Sequence, residues 1–146
     1  MIPTLVGAHT KWKIRYHFVW GTKYRHDILT GPVAKFLKET VWGICERYEF
    51  DFDSLGTDGD HVHLLAGAPP SQSPETMMRT IKSITAQRIF ARFPSARNLL
   101  WKGSLWSVGY YIATAGDGQP MELMRRYVLN QGAKEESKMV KQLKML

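Results

Sequence analysis

The fold of this chain is decided at residues 11–20, which read KWKIRYHFVW. Apolar and basic side chains alternate along this stretch. One side of an extended chain would carry Trp12, Ile14, Tyr16, Phe18 and Trp20, and the other side would carry Lys11, Lys13, Arg15 and His17. Because successive side chains of a strand point to opposite faces, the alternation predicts a half-buried strand with a basic outer face.

Outward from this strand, helical and extended patterns follow one another. Apolar spacing after Pro32 predicts a helix over 32–48, and two further strands are predicted over 50–55 and 61–66, with a turn at 57–60 between them. Ser73 is suited to cap a second helix that begins at Pro74 and ends near Phe93-Pro94. Residues 105–114 predict a strand that Gly109 interrupts.

The order of these elements is β-α-β-β-α-β, and a further helix is predicted from Met121 to about Leu129, before a charged tail over 134–146. Two crossover helices on one antiparallel sheet predict an α+β fold, a ferredoxin-like (RRM-like) sandwich with an added C-terminal helix. The 146 residues contain no internal repeat or linker, so residues 1–146 are predicted to form a single domain.

Charge points to the class of partner. Twenty Lys and Arg against thirteen Asp and Glu give a formal net charge of +7, which favours a polyanion. Cys45 is the single cysteine, which excludes an intramolecular disulfide, and no apolar run is long enough for a membrane span. We therefore expect a cytoplasmic protein.

Basic and aromatic residues are concentrated late in the chain, where 76–116 contains no Asp or Glu. Cations that bind phosphates, interleaved with Trp101, Trp106, Tyr110 and Tyr111, are typical of single-stranded nucleic-acid binding. The alternative is that these aromatics belong to the core and the cations only solvate a helix. The basic residues that we predict to contact DNA, here and near the first strand, are Lys23, Arg25, Arg79, Lys82 and Lys102.

His61 and His63 are two residues apart on a predicted strand, so both imidazoles should project from one face. Such a pair can bind one divalent cation, provided that a third protein ligand completes the site. The alternative is a pair of hydrogen-bonded histidines at a strand edge. Leu65 stands where a histidine-triad hydrolase would need a third histidine.

Tyr127 and Gln131 lie four residues apart and would share a face of the last helix. A tyrosine hydroxyl beside Arg125 and Arg126 could attack a phosphodiester, and an amide oxygen could complete a site for a hard metal ion. The alternative is an ordinary half-buried tyrosine of an amphipathic helix.

Together these features resemble the small single-tyrosine HUH transposases of the insertion-sequence-200-like family (TnpA-type), which move single-stranded DNA. The matching motifs keep the family's order over nearly the whole chain: YHFVWGTKYR at 16–25, DHVHLL at 60–65, LWKG at 100–103, GYY at 109–111 and RYVLNQ at 126–131. The turn at 57–60 and Lys82-Ser83 depart from the family's usual residues.

The resemblance implies roles for individual residues. His61 and His63 would be the HUH histidines, Gln131 would be the third ligand of Mg²⁺ or Mn²⁺, and Tyr127 would be the nucleophile. It also implies cleavage and rejoining of single-stranded DNA at element ends through a 5′-phosphotyrosine. The implied substrate carries hairpins near its ends, the implied assembly is a homodimer, and the protein would associate with the nucleoid when bound to DNA.

Three alternatives remain open. One is a related HUH enzyme, such as a repeat-associated or domesticated nickase or a replication or transfer initiator. Another is a non-catalytic nucleic-acid-binding module with a ferredoxin-like sheet, in which Tyr127→Phe would leave function intact. The third is a small histidine-dependent phosphoesterase that forms no covalent DNA adduct.

Overall fold

The computed structural model describes residues 2–100 and 103–115 and centres on a four-stranded antiparallel sheet. In chain order the strands are β1 (Leu5–Val6), β2 (Lys11–Trp12), β3 (Tyr16–Gly21), β4 (Asp51–Thr57), β5 (His61–Gly67) and β6 (Tyr111–Thr114). The main sheet has the order β4-β5-β3-β6, and each neighbouring pair is antiparallel. The short strands β1 and β2 pair separately with each other.

Within the described ranges, three α-helices accompany the sheet: α1 (Gly31–Tyr48), α2 (Pro74–Arg92) and α3 (Pro94–Leu99). The helices predicted over 32–48 and from Pro74 are confirmed. At the start of α2, Ser73 Oγ accepts a hydrogen bond from the Thr76 amide at 3.1 Å, which satisfies one of the helix's first N–H groups. The sequence did not predict α3, which begins at Pro94, directly after α2 ends.

The hydrophobic core lies between one face of the sheet and the helices. Phe18 and Trp20 of β3 and Val62, Leu64 and Ala66 of β5 belong to it, together with apolar residues of α1 and α2. Since neighbouring residues of a strand point to opposite faces, His17 and Val19, like His61 and His63, project from the other face. The α+β class with an antiparallel sheet is therefore confirmed.

The strand predicted over 11–20 is divided in two, and the predicted basic outer face is confirmed only at the exposed Lys11 and Lys13. Residues 13–15 belong to neither β2, which pairs with β1, nor β3, which pairs with β5 and β6. Arg15 and His17 are buried. The buried charge of Arg15 is compensated by two carboxylates. Its Nη1 lies 2.5 Å from Asp53 Oδ2, and its Nη2 lies 2.5 Å from Asp51 Oδ2.

The strand predicted over 105–114 is shorter than expected. Gly109 has a φ of +87° and interrupts it, as predicted, so that β6 covers only its last four residues. Before the glycine, Trp106 forms one isolated bridge with Thr22. The helix predicted from Met121 and the tail over 134–146 lie outside the described residues, and none of the described helices has the length and apolar character of a membrane span.

Candidate active site

The pairing of β3 with β5 places the two predicted histidines side by side. His61 faces Gly21 across the ladder and His63 faces Val19. Their ring centroids are 5.1 Å apart, with 66° between the ring planes, and both residues are buried. The two imidazoles therefore form one cluster on the face of the sheet opposite the helices.

A third imidazole, from His17 of β3, joins this cluster. Its Nε2 lies 3.1 Å from Nδ1 of His63, and the two rings are stacked with 27° between their planes. Burial lowers the pKa of His17 to about 4. Burial lowers the pKa of His63 to about 2, and the neighbouring charges of His17 and His61 act in the same direction. Both rings are consequently neutral at ordinary pH, the form in which imidazole binds metal ions.

Sequence reasoning did not include His17 among the candidate site residues. It assigned His17 to a solvated face, because the alternation in 11–20 separates two faces without showing what covers either of them. Once β3 is known to lie beside β5, however, His17 shares a face with Val19, the cross-strand partner of His63. The pairing of the strands is the signal that would have identified it.

His61 is oriented by acidic residues of the preceding turn. Its Nδ1 lies 2.7 Å from Asp60 Oδ1, and its Nε2 lies 3.7 Å from Asp58 Oδ2. The rings of His61 and His63 thus have the same arrangement, in which Nδ1 is engaged by a neighbouring side chain. A carboxylate or another acceptor on one ring nitrogen is how proteins direct the other nitrogen towards a metal ion.

The described residues supply two of the three predicted metal ligands. Within these ranges no group of three or more His, Cys, Asp or Glu side chains could hold a metal ion. Cys45 belongs to the core, where burial and the charge of Asp51 raise the pKa of its thiol to about 12. Gln131, Tyr127 and Lys102 lie outside the described residues.

A short basic turn is attached to the histidine end of β5. The 3-10 helix Lys23–Arg25 follows β3, and the residue before it, Thr22, is fully buried. The Thr22 amide donates to the Asp60 carbonyl at 2.8 Å, and its hydroxyl lies 2.8 Å from the His26 carbonyl. These bonds fix the turn to the residue directly before His61.

Two of the predicted DNA-contacting residues, Lys23 and Arg25, lie in this turn. The guanidinium of Arg25 lies over the Cα of Gly21, so a Cβ at Gly21 would overlap Nη1 of Arg25. A side chain at position 21 would therefore displace the guanidinium end of Arg25. Since Gly21 is the cross-strand partner of His61, the structure brings Arg25 to the histidine cluster.

Arg79 and Lys82 are placed differently, on α2 in the helical layer. Arg79 is exposed and pairs with Glu75 at 3.4 Å. The Lys82 ammonium donates to the carbonyls of Ser107 and Gly109 at 2.9 and 3.0 Å, and burial lowers its pKa. Neither side chain is brought to the histidine cluster, and their DNA contacts stay predictions.

Trp106 is a core residue, which was the alternative to a nucleic-acid-binding role for the late aromatic residues. It is buried in the core, its ring contacts that of Trp20 edge-on at 5.8 Å, and its Nε1 donates to Thr85 Oγ1 at 3.0 Å. Tyr110 packs edge-on against Phe18, with ring centroids 6.1 Å apart. Trp106 therefore serves the fold.

Comparison with known proteins gives the class to which this fold and site belong. The family model described as "Transposase IS200 like" matches residues 10–131, which include β3, β5, the basic turn and the late tyrosine motif. The chain belongs to the family of IS200-like transposases.

Curated relatives agree with this assignment. The chain is 32% identical over 129 residues to the ISDra2 transposase TnpA of Deinococcus radiodurans, which covers 88% of this chain and 91% of that protein. It is 27% identical over 136 residues to the transposase for insertion sequence element IS200 of Salmonella typhimurium, covering 93% and 87% of the two chains.

Solved structures resemble this one as well. A crystal structure of a Deinococcus radiodurans protein assigned as a transposase matches with a TM-score of 0.72 and 32% identity, covering 88% of this chain and 98% of that one. The structure of a REP-associated tyrosine transposase bound to a REP hairpin matches with a TM-score of 0.57, covering 79% of this chain and 64% of that one. At 12% identity, the second match shows a shared fold alone.

Proposed function

We propose that this protein is a metal-dependent transposase that cleaves and rejoins single-stranded DNA at the ends of a mobile element. The observation that carries the proposal is the side-by-side placement of His61 and His63, 5.1 Å apart between ring centroids, in a chain of the IS200-like family. Each ring has Nδ1 engaged, His61 by Asp60 and His63 by His17. Two preoriented imidazoles suit a catalytic metal site better than a structural one, because a structural site would need four protein ligands.

His61 and His63 fit a divalent ion bound through Nε2 of each ring, and Gln131 would supply an amide oxygen as the third ligand. Three protein ligands leave coordination positions for substrate oxygens. Mg²⁺ or Mn²⁺ bound there would supply Lewis-acid polarisation of the scissile phosphate. The stacked His17 and the Asp60 carboxylate would keep both imidazoles in the binding orientation.

Tyr127 would act as the nucleophile. Its phenolic oxygen attacks the scissile phosphorus in line, the bond from phosphorus to the 3′ oxygen breaks, and a 5′-phosphotyrosine and a free 3′-hydroxyl result. A 3′-hydroxyl later attacks the phosphotyrosine, which releases Tyr127 and joins two strands. Since the pKa of tyrosine is near 10, the phenolate leaves more readily than an alkoxide would, and no ATP is needed.

The wider architecture that we propose is a ferredoxin-like sandwich to which a C-terminal helix adds Tyr127 and Gln131. The strand order β4-β5-β3-β6, with α1 and α2 as crossovers, supports it. We further propose a homodimer that acts at the nucleoid on strands with hairpin ends. In support, a protein of similar fold is described in complex with a hairpin.

The test uses end-labelled single strands that carry a panel of hairpins, with Mg²⁺, Mn²⁺ or EDTA. We expect cleavage by the wild type with metal only, and loss of cleavage in His61→Ala. His9→Ala is the matched control, because His9 is exposed and outside the cluster, and it should cleave normally. Binding without cleavage of any strand would favour a non-catalytic module. Hydrolysis of nucleotides without a covalent adduct would favour a phosphoesterase.

A further inference from the structure

The turn that follows β3 presents an aromatic ring to solvent in a backbone conformation that is rare for such a residue. Tyr24 is 72% exposed and has a φ of 58°, and Arg25, directly after it, has a φ of 56°. Residues other than glycine seldom adopt positive φ, and two in succession persist only where the surrounding structure imposes them. Such imposed conformations are concentrated at functional sites.

Buried contacts impose this conformation from both sides. Thr22 is bonded to the carbonyls of Asp60 and His26, and the Lys23 amide donates to the Leu105 carbonyl at 2.8 Å. The Arg25 amide closes the turn onto the Thr22 carbonyl at 3.1 Å. The Tyr24 ring meets the His26 ring edge-on, with centroids 6.3 Å apart, so one of its edges is supported while most of the side chain stays exposed.

Two cationic residues, Lys23 and Arg25, stand on either side of Tyr24 in the turn. Lys23 Nζ lies 5.4 Å from the centroid of the Tyr24 ring. Nη1 of Arg25 is buried over Gly21 and has no hydrogen-bond partner in the described part of the chain. A buried guanidinium N–H without an acceptor is costly, and an anionic oxygen is the acceptor that suits it best.

We propose that Lys23–Arg25 forms a nucleotide subsite beside the histidine cluster. The ring of Tyr24 stacks on an unpaired base, and Arg25 binds a phosphate oxygen of the same strand. The subsite selects single strands, because bases inside a duplex are already stacked and offer no open face. The inference rests on the proposed function only in taking single-stranded DNA as the substrate.

The experiment separates stacking on a base from attraction to the backbone. Fluorescein-labelled dT12 is compared with a 12-mer of the same charge whose sugars carry no base, by fluorescence anisotropy in EDTA. Tyr24→Gly removes the ring and places at φ 58° a residue that adopts this conformation without strain, so folding should be preserved. We expect it to weaken dT12 binding by about five-fold or more and to leave binding of the baseless strand nearly unchanged.

Two further variants sharpen this result. Tyr24→Phe keeps the ring and should bind dT12 as the wild type does. Arg25→Gln should weaken the binding of both strands by a similar factor, because it removes a phosphate contact. For the same reason it should reduce the salt dependence of the affinity. Trp42→Ala is the matched control, since Trp42 is 51% exposed but lies on α1 in the helical layer, and it should change neither affinity.

Other outcomes would overturn the inference. If Tyr24→Gly weakens the binding of dT12 and of the baseless strand equally, the ring does not stack on a base. If it weakens neither while the wild type binds dT12, the subsite is wrong and the proposed function stands. If the wild type binds neither strand, Lys23–Arg25 is not a nucleotide subsite, and the proposed function fails as well only if strands with hairpin ends also stay unbound.

Discussion

Nε2 of His17 lies 3.1 Å from Nδ1 of His63, and this contact joins two adjacent strands on the face of the sheet opposite the helices. A hydrogen bond between these two nitrogens requires one proton between them, and the tautomers of the two rings decide which ring donates it. If His63 binds a metal ion through Nε2, its Nδ1 carries that proton and donates to His17. His17 would then be a positioning residue for His63, as Asp60 would be for His61.

The first prediction concerns the contribution of His17 to metal affinity. His17→Ala should weaken Mn²⁺ binding by roughly 10- to 100-fold, which is typical for the loss of a residue that orients a ligand. His17→Gln should restore part of the affinity, because its amide can reach the position of Nε2. Isothermal titration of the DNA-free protein measures both effects. Wild-type affinity in a folded His17→Ala protein would contradict this role.

The second prediction concerns acid stability. Burial holds the folded-state pKa of His17 near 4 and that of His63 near 2, below the usual 6.5. Below pH 6.5 the unfolded chain therefore takes up protons that the folded protein does not, and stability falls. The free energy of unfolding should fall by about 1.4 kcal/mol per pH unit for each histidine. Urea unfolding between pH 7 and pH 5 measures it, and His17→Gln should reduce the slope. Equal slopes in the two proteins would show that His17 does not contribute.

The third prediction concerns the buried ion pairs of Arg15. The side chain of Asp53 is only 6% exposed, so Arg15→Met would remove a cationic partner from a buried carboxylate. We expect a loss of roughly 3–5 kcal/mol in the free energy of unfolding. Lys11→Met, an exposed cation close by, serves as the control and should change stability by less than about 0.5 kcal/mol. Similar unfolding midpoints for the two variants would contradict the structural role of Arg15.

Helix limits and the histidine pair could be predicted because their signals are local. Pro32 and Ser73-Pro74 mark helix starts wherever the helices pack, and the spacing of His61 and His63 places both on one face of any strand. The burial of Arg15 and His17 depends instead on Asp51, Asp53 and β5, which are distant in sequence. The positive φ of Tyr24 could not be predicted either, because the contacts of Thr22, rather than the identity of Tyr24, impose it.

The fourth prediction separates Lys82 from Arg79. Lys82 donates to two carbonyls of the loop that precedes β6, so Lys82→Met should lower stability by about 1–3 kcal/mol. Arg79→Met, at an exposed position, should leave stability unchanged. If Arg79 contacts DNA as predicted, its loss should reduce the slope of log affinity against log salt by about one. Unchanged stability in Lys82→Met would contradict its role in holding the loop.

The central claim is that Tyr127 forms a covalent bond to DNA at a site that requires a metal ion. The most direct measurement incubates labelled single-stranded hairpin DNA with Mg²⁺ and detects SDS-stable protein–DNA adducts in the wild type and in Tyr127→Phe. We expect an adduct in the wild type that EDTA abolishes and that Tyr127→Phe does not form. An adduct that persists in Tyr127→Phe would contradict the account and move the nucleophile to another residue, with Tyr110 and Tyr111 the first to test.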